Sequence, residues 1–258
     1  RDFIREVEQG GELKVVTGAH WDKEIGAVTE VLYREKVDRS PALLFDKVPG
    51  YKEGFRCLYG MLGSPLRLAL GLGINPEISG DRRTMLDAYR SRIKKYEPVP
   101  PRIVTEGPIL ENIDRDGEVD LTKFPVPVHH EKDGGRYIGT GDVTFTIDTE
   151  GDWVNAAPYR AQLFGPKRMT IEIAETHHGK QHLKSFWEAG EHAPIVMVAG
   201  QDPYTYAGAC TPLPAGYPEL EYAGGLMGKP IEVIMHKETG LPIPATAEIA
   251  IIGFVPPL

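Results

Sequence analysis

Cysteine is nearly absent: Cys57 and Cys210 are the only two in 258 residues, single and far apart. That excludes a disulfide-stapled secreted scaffold and a thiolate metal cluster, and fits a reducing compartment. Also missing is any apolar run near the roughly 18 residues of a membrane span. The opening RDFIREVEQG has neither the basic start nor the apolar stretch of a signal peptide. A cytoplasmic location is the expectation. No basic block interleaves with aromatics, and 29 Lys and Arg stand against 37 Asp and Glu, a formal charge of -8. Nucleic acid is therefore not an expected partner. A chain of this charge binds an anion through local cations, a metal or backbone amides, not through its overall field.

Periodicity predicts an α/β first part. Asp2 can cap a helix with Phe3, Ile4 and Val7 on one face; Asp22 can cap a second with Ile25, Val28, Val31 and Leu32 inward. Leu13 to Val16, Pro41 to Val48 and Phe55 to Leu62 read as strands, Ser64-Pro65 as a helix start, and Asp81 to Tyr96 as a helix. Pro98-Val99-Pro100-Pro101 cannot continue that helix. It suggests a boundary, with an α/β domain over residues 1–105 and a second domain over 106–258. The second part reads as mostly strands, sandwich- or barrel-like: Val143, Phe145 and Ile147 alternating with polar residues, then Trp153 to Ala157, Arg168 to Ala174, Ala193 to Ala199, Pro230 to His236 and Ala247 to Phe254. One helix, near His178 to Ala189, and a short turn near Glu219 interrupt them.

Four features could carry chemistry, and each also has a plain structural reading. The glycine-rich segment from Lys132 to Gly141 fits a hairpin as well as a ligand loop, matching neither GxxxxGK[ST] nor GxGxxG. His178 and His182 would lie one helical turn apart, suited to a shared metal or to a solvated helix start, with no HExxH glutamate beside them. Asn155, with Glu219 or Glu221, could add oxygen ligands appropriate to Mn2+ or Mg2+, or the glutamates could edge a solvated turn. Arg160, next to Tyr159, could grip a carboxylate through its planar fork or stand on the surface.

Taken in order, the segments resemble the UbiD family of prenylated-flavin decarboxylases along essentially the whole chain. The resemblance rests on RDFIREVEQGGELKVV, WDKEIGAVTE, PALLFDKVPGY, FPVPVHHEKDGGRYIGTGDVTFTID, NAAPYRAQ, ACTPLPAGYPELEYAGGLMGKPIEV and LPIPATAEIAIIG. It implies an α/β domain followed by a flavin-binding split β-barrel, and reversible decarboxylation or carboxylation of an aromatic or α,β-unsaturated acid. The cofactors implied are prenylated FMN, Mn2+ or Mg2+, and potassium as a further cation. Asn155, His178 and Glu219 match the positions that ligate a metal bridging to the flavin phosphate; Gly228 lies at the family's spacing from Glu219, which favours it over Glu221. Flavin contacts are implied for Ala157, Pro158, Tyr159, His177, Ala209, Cys210 and Thr211, and Arg160 matches the active-site arginine. His177 stands where glutamine is frequent, and Ala209-Cys210-Thr211 where small hydroxyl residues and a methionine occur, which leaves the substrate class open.

The family's two catalytic glutamates lie in a segment resembling PEGPFGE beyond the strand ending at Leu258. The resemblance therefore implies a domain incomplete at its C-terminus. Either the sequence is part of a longer chain or a second polypeptide completes the site. Implied partners are a small carboxylic acid and CO2, a flavin prenyltransferase as cofactor supplier, and a homo-oligomer. Two alternatives stand beside this reading: a flavin-binding subunit inactive without its partner chain, and a flavin-free metal hydrolase built on His178 and His182.

Overall fold

The computed structural model describes residues 1–35, 40–139 and 141–257. Thr140 of the glycine-rich segment and the terminal Leu258 lie outside them. The chain forms two compact units: the first comprises Arg1–Lys94, Arg115–Ile138 and Ala161–Thr170, the second Lys95–Asp114, Gly139–Arg160 and Ile171–Leu258.

The first unit opens with α1 (Asp2–Gln9), β1 (Leu13–Thr17), α2 (Glu24–Glu35), β2 (Ala42–Asp46), β3 (Cys57–Tyr59), α3 (Pro65–Gly71) and α4 (Arg82–Lys94). The three strands form one sheet, β1 parallel to β2 and β2 antiparallel to β3. Arg1, not Asp2, occupies the α1 cap position, and Asp2 is the first helical residue. There its carboxylate still favours the positive end of the helix. Of the residues expected inward on α2, Ile25 is fully buried and Leu32 packs on the core of Leu43 and Phe45. Val28 and Val31 are exposed instead, because this helix buries a narrower stripe than the apolar pattern offers. Ser64 caps α3 by accepting the Arg67 backbone N–H at 3.1 Å. The fully buried Arg67 guanidinium donates to Glu12, Gly60 O and Ser40 O, so this interior cation is paired and its donors are used.

The second unit carries β4 (Arg102–Ile103), β5 (Val143–Ile147), β6 (Val154–Ala157), the hairpin β7 (Arg160–Leu163) and β8 (Met169–Glu172), α5 (His178–Glu188), β9 (Ala193–Ala199), α6 (Pro203–Ala209), α7 (Glu219–Met227), β10 (Glu232–Met235), β11 (Pro242–Pro244) and β12 (Ile249–Val255). The hairpin has its Arg160 and Glu172 ends in this unit and its middle in the first. Strands run in the orders β12-β9-β5-β6 and β11-β10-β4.

Two expectations fail here. β5 is buried throughout, including Thr144 and Thr146. Phe145 points into a core with Ala209, Leu220 and Ala223, while Thr146 points the other way and meets His182 of α5. Helices thus cover both faces of a strand whose apolar residues alternate with polar ones, a pattern that ordinarily leaves one face to solvent. Moreover α5 is not alone. α6 starts where Asp202 accepts the Tyr204 and Thr205 N–H groups, and α7 is a full helix, not a turn. Its Gly224 and Gly225 disguised it. Each admits close backbone approach, since a Cβ would lie 2.5 Å from Val99 O and 2.4 Å from Glu97 O respectively.

Candidate functional site

Two elements of the second unit meet at the hydroxyl of Tyr159, and a third, α7, joins beside them through Glu219 and Ala156. β6 is the edge strand of its sheet, and it brings Asn155, buried at 2% exposure. The Asn155 amide donates from Nδ2 to Thr146 Oγ1 and to Tyr159 Oη, each at 3.3 Å. Tyr159 Oη also accepts the backbone N–H of Gly179, in the first turn of α5, at 3.2 Å. Only glycine fits there, because a Cβ at position 179 would fall 2.6 Å from that hydroxyl. α5 begins at His178 and α7 at Glu219, so both present positive N-terminal ends.

Glu219 is 5% exposed, and its Oε2 accepts the Ala156 N–H at 2.8 Å. This satisfies an edge-strand donor and fixes the carboxylate one residue from Asn155. Burial pushes the Glu219 carboxyl up to about 7, against the backbone donors that favour its charge. Such a group gains strongly from a nearby cation.

Of the other expected residues, His177 joins Tyr159, and others have partners of their own. His177 stacks on Tyr159, with ring centroids 5.8 Å apart. Ala209 ends α6, with Cys210 at its cap and Thr211 donating from Oγ1 to Ala207 O. α6 can lie against α7 because Gly208 has no Cβ to meet Glu219 O, at 2.9 Å. Pro158 and Ala157 are half-buried, and Arg160 is exposed and ion-paired with Glu172.

His182 does not join His178 as a ligand. Its Nδ1 is engaged with Thr146 Oγ1 at 3.1 Å, and burial holds its basicity below normal. Trp153 meets both rings edge to face, with centroids 4.9 Å from His178 and 4.6 Å from His182. Among the described residues no group of three His, Cys, Asp or Glu side chains is gathered to hold a metal. A site built on His178 and His182 together therefore finds no gathered third ligand of these types among the described residues.

Sequence reasoning missed Thr146, Trp153 and Asp142. Thr146 was masked as the polar half of an alternating strand, and Asp142 as the tail of a glycine-rich segment. Asp142 is 1% exposed; its Oδ2 accepts from Thr144 Oγ1 at 3.0 Å and its Oδ1 has no hydrogen-bond partner. Oδ1 sits over Gly139, where a Cβ would come within 2.4 Å. Burial pushes this carboxyl up to about 7, against hydrogen bonds from Thr144 and the Tyr159 backbone that favour its charge.

A stability effect with a definite sign follows. The folded chain keeps a proton on Asp142 that the unfolded chain, titrating near 3.8, releases. The contribution of this group is full below about pH 4, falls through pH 7, and is flat above. At about 1.4 kcal/mol per unit it is on the order of 4 kcal/mol. Denaturant titrations across this window should show that fall, and Asp142→Asn should flatten it to the smaller share of Glu219. An unchanged slope in that variant would refute the assignment.

Asn155 and Glu219, both buried and held at adjacent positions of an edge strand beside the starts of α5 and α7, are side chains of a kind that suits a hard cation. The chain is a member of the UbiD family: residues 102–258 match the 3-octaprenyl-4-hydroxybenzoate carboxy-lyase Rift-related domain, and residues 4–82 the N-terminal domain of the same carboxy-lyase. It is 34% identical over 261 residues to pyrrole-2-carboxylic acid decarboxylase of Pseudomonas aeruginosa, covering 98% of this chain and 51% of that protein. The α/β fold matches the closed form of vanillic acid decarboxylase from Sedimentibacter hydroxybenzoicus with a TM-score of 0.91 at 27% identity, over 100% of this chain and 54% of the other. It also matches the UbiD-class enzyme HmfF of Pelotomaculum thermopropionicum in complex with prenylated FMN, with a TM-score of 0.86 at 28% identity, over 100% and 57%. The chain spans about half the length of these relatives. Among the described residues, no helix is long and apolar enough to cross a membrane.

Proposed function

We propose that this chain binds prenylated FMN through a divalent metal and serves the reversible, non-oxidative decarboxylation or carboxylation of an aromatic or α,β-unsaturated carboxylic acid. The observation that carries this is that Asn155 and the first turn of α5 meet at Tyr159 Oη while Glu219 accepts the N–H of Ala156, the neighbour of Asn155. The residues fit the group: an amide oxygen, an imidazole and a carboxylate form a hard, mixed site appropriate to Mn2+ or Mg2+. Bound there, the flavin would supply the electron sink for the carbon that loses CO2. Asn155, His178 and Glu219 would hold the metal, and the positive ends of α5 and α7 would favour the phosphate. Ala157, Pro158, Tyr159, His177, Ala209, Cys210 and Thr211 would wall the flavin. Arg160 would orient the substrate carboxylate in bidentate fashion. In this reading residues 106–258 are the flavin domain, of the split β-barrel type, and residues 1–105 the α/β domain.

A second reading has one observation in its favour: a structure of the vanillic acid decarboxylase is described with truncated ShVdcD, and it matches this chain with a TM-score of 0.86. The chain would then be the flavin-binding subunit of an assembly whose partner supplies the proton donor. Native mass spectrometry of the protein from a host making prenylated flavin tests both. A complex holding flavin and a divalent metal supports the binding function, and its polypeptide masses report whether another chain travels with it. A lone 28.5 kDa chain without flavin, even after incubation with FMN and Mn2+, would refute it.

A further inference from the structure

Asn155 serves a metal only if its amide points the right way, since the oxygen ligates a hard cation and the nitrogen does not. The two ends have nearly the same shape, so packing cannot choose between them; hydrogen-bond partners must. The partners are Thr146 Oγ1 and Tyr159 Oη, and a hydroxyl can donate or accept. The choice therefore passes to what those hydroxyls do elsewhere. Tyr159 Oη already receives the Gly179 N–H. Thr146 is fully buried and has one hydroxyl proton to place between Asn155 and His182 Nδ1, which is 3.1 Å away.

The His182 tautomer settles that placement. If Nδ1 is bare, Thr146 donates to it and accepts from Asn155, which leaves the Asn155 carbonyl oxygen clear of both hydroxyls. If Nδ1 carries hydrogen, Thr146 accepts from it and its own proton is free to turn toward Asn155, where it would draw the amide oxygen to itself and away from a metal. The other ring nitrogen, Nε2, is buried without a hydrogen-bond partner. The Thr146 hydroxyl proton needs an acceptor, and with the Asn155 nitrogen turned toward it the one within reach is Nδ1, the arrangement in which Nδ1 is bare.

We propose that His182, acting through Thr146, is the positioning residue that turns the Asn155 amide so that its oxygen, and not its nitrogen, is offered to the metal. The inference rests on the metal-bridged reading above and gives the second histidine of the His178/His182 pair a role other than ligation. Outer partners of this kind orient ligands, and losing one costs about 10- to 100-fold in metal affinity.

The test measures Mn2+ dissociation constants by electron paramagnetic resonance on the FMN-loaded chain. Thr146→Val keeps the shape and removes the relay; His182→Leu removes the acceptor; Thr146→Ser restores the hydroxyl. The first two should bind Mn2+ at least about tenfold more weakly, with Thr146→Ser close to wild type. Should wild type bind Mn2+ and Asn155→Ala lose it, while Thr146→Val binds as tightly as wild type, the relay is wrong and the metal reading stands. Should wild type bind none, or Asn155→Ala bind equally well, the metal reading fails and takes the relay with it. If the variants do not fold, nitrogen NMR of histidine-labelled wild-type protein decides: a protonated Nδ1 on His182 overturns the proposal, and a bare Nδ1 with protonated Nε2 supports it.

Discussion

Replacing Arg160 by alanine in the flavin-loaded holoenzyme, with any partner chain it requires, should cut turnover by at least about a hundredfold, into the range set by loss of a preorganised charged donor. Flavin should stay bound. The structure separates the two effects. Arg160 sits at the start of β7, 57% exposed at its side chain and paired with a Glu172 that is 65% exposed. Such a surface pair contributes about 0–1 kcal/mol to stability, and Arg160 takes no part in the hydrogen bonds that gather Asn155, Tyr159, Gly179 and Glu219. A loss of rate with an unchanged melting temperature and an unchanged flavin spectrum would thus belong to substrate orientation. Arg160→Lys should recover little, because an ammonium cannot offer two parallel donors. Turnover retained in Arg160→Ala would remove the residue from the mechanism.

Glu219→Ala should weaken Mn2+ binding by more than about a hundredfold, beyond the range of an outer-partner loss, and FMN affinity should fall with it if the metal bridges the phosphate. Two terms add. The variant removes an anionic ligand, and it strips the Ala156 N–H of its acceptor, costing about 1–3 kcal/mol for a buried donor left unpaired. Glu219→Gln separates them, since its side-chain oxygen can still accept from Ala156 but brings no charge. It should hold the fold near wild type while remaining weak for Mn2+. Wild-type Mn2+ affinity in Glu219→Ala would show that the carboxylate's role is purely to cap the edge strand. Isothermal titration of Mn2+ and FMN against each variant checks this.

Much of the fold was legible because its periodic segments are local. β9 was expected at Ala193 to Ala199 and lies there; α5 and the Ser64-capped α3 followed from capping and apolar spacing. What escaped was set by contacts distant in the chain. α7 carries paired glycines that weaken a helix in isolation and become useful only where residues 97 and 99 lie against it. Thr146 alternates with apolar neighbours as a solvent-facing residue would, and nothing local announces that α5 covers it. Residue type alone offered Asn155 with Glu219 or Glu221 as metal candidates, and only the family resemblance chose Glu219, since Asn155 and Glu219 are 64 positions apart in sequence and are joined through Ala156. The His178/His182 spacing pointed toward ligation, whereas the structure turns His182 inward to Thr146.

The two cysteines stand in unlike surroundings. Cys57 points its thiol at Pro125 O and burial pushes that thiol up to about 11; partial burial raises Cys210 as well, but Cys210 is exposed at the end of α6. Since the thiol must be reachable as well as ionised to be alkylated, a maleimide applied briefly at neutral pH would mark Cys210 before Cys57. These 258 residues therefore carry one preferred attachment point for a fluorophore or spin label, itself in the proposed flavin wall, and occupancy of that wall could be followed optically without introducing any new side chain.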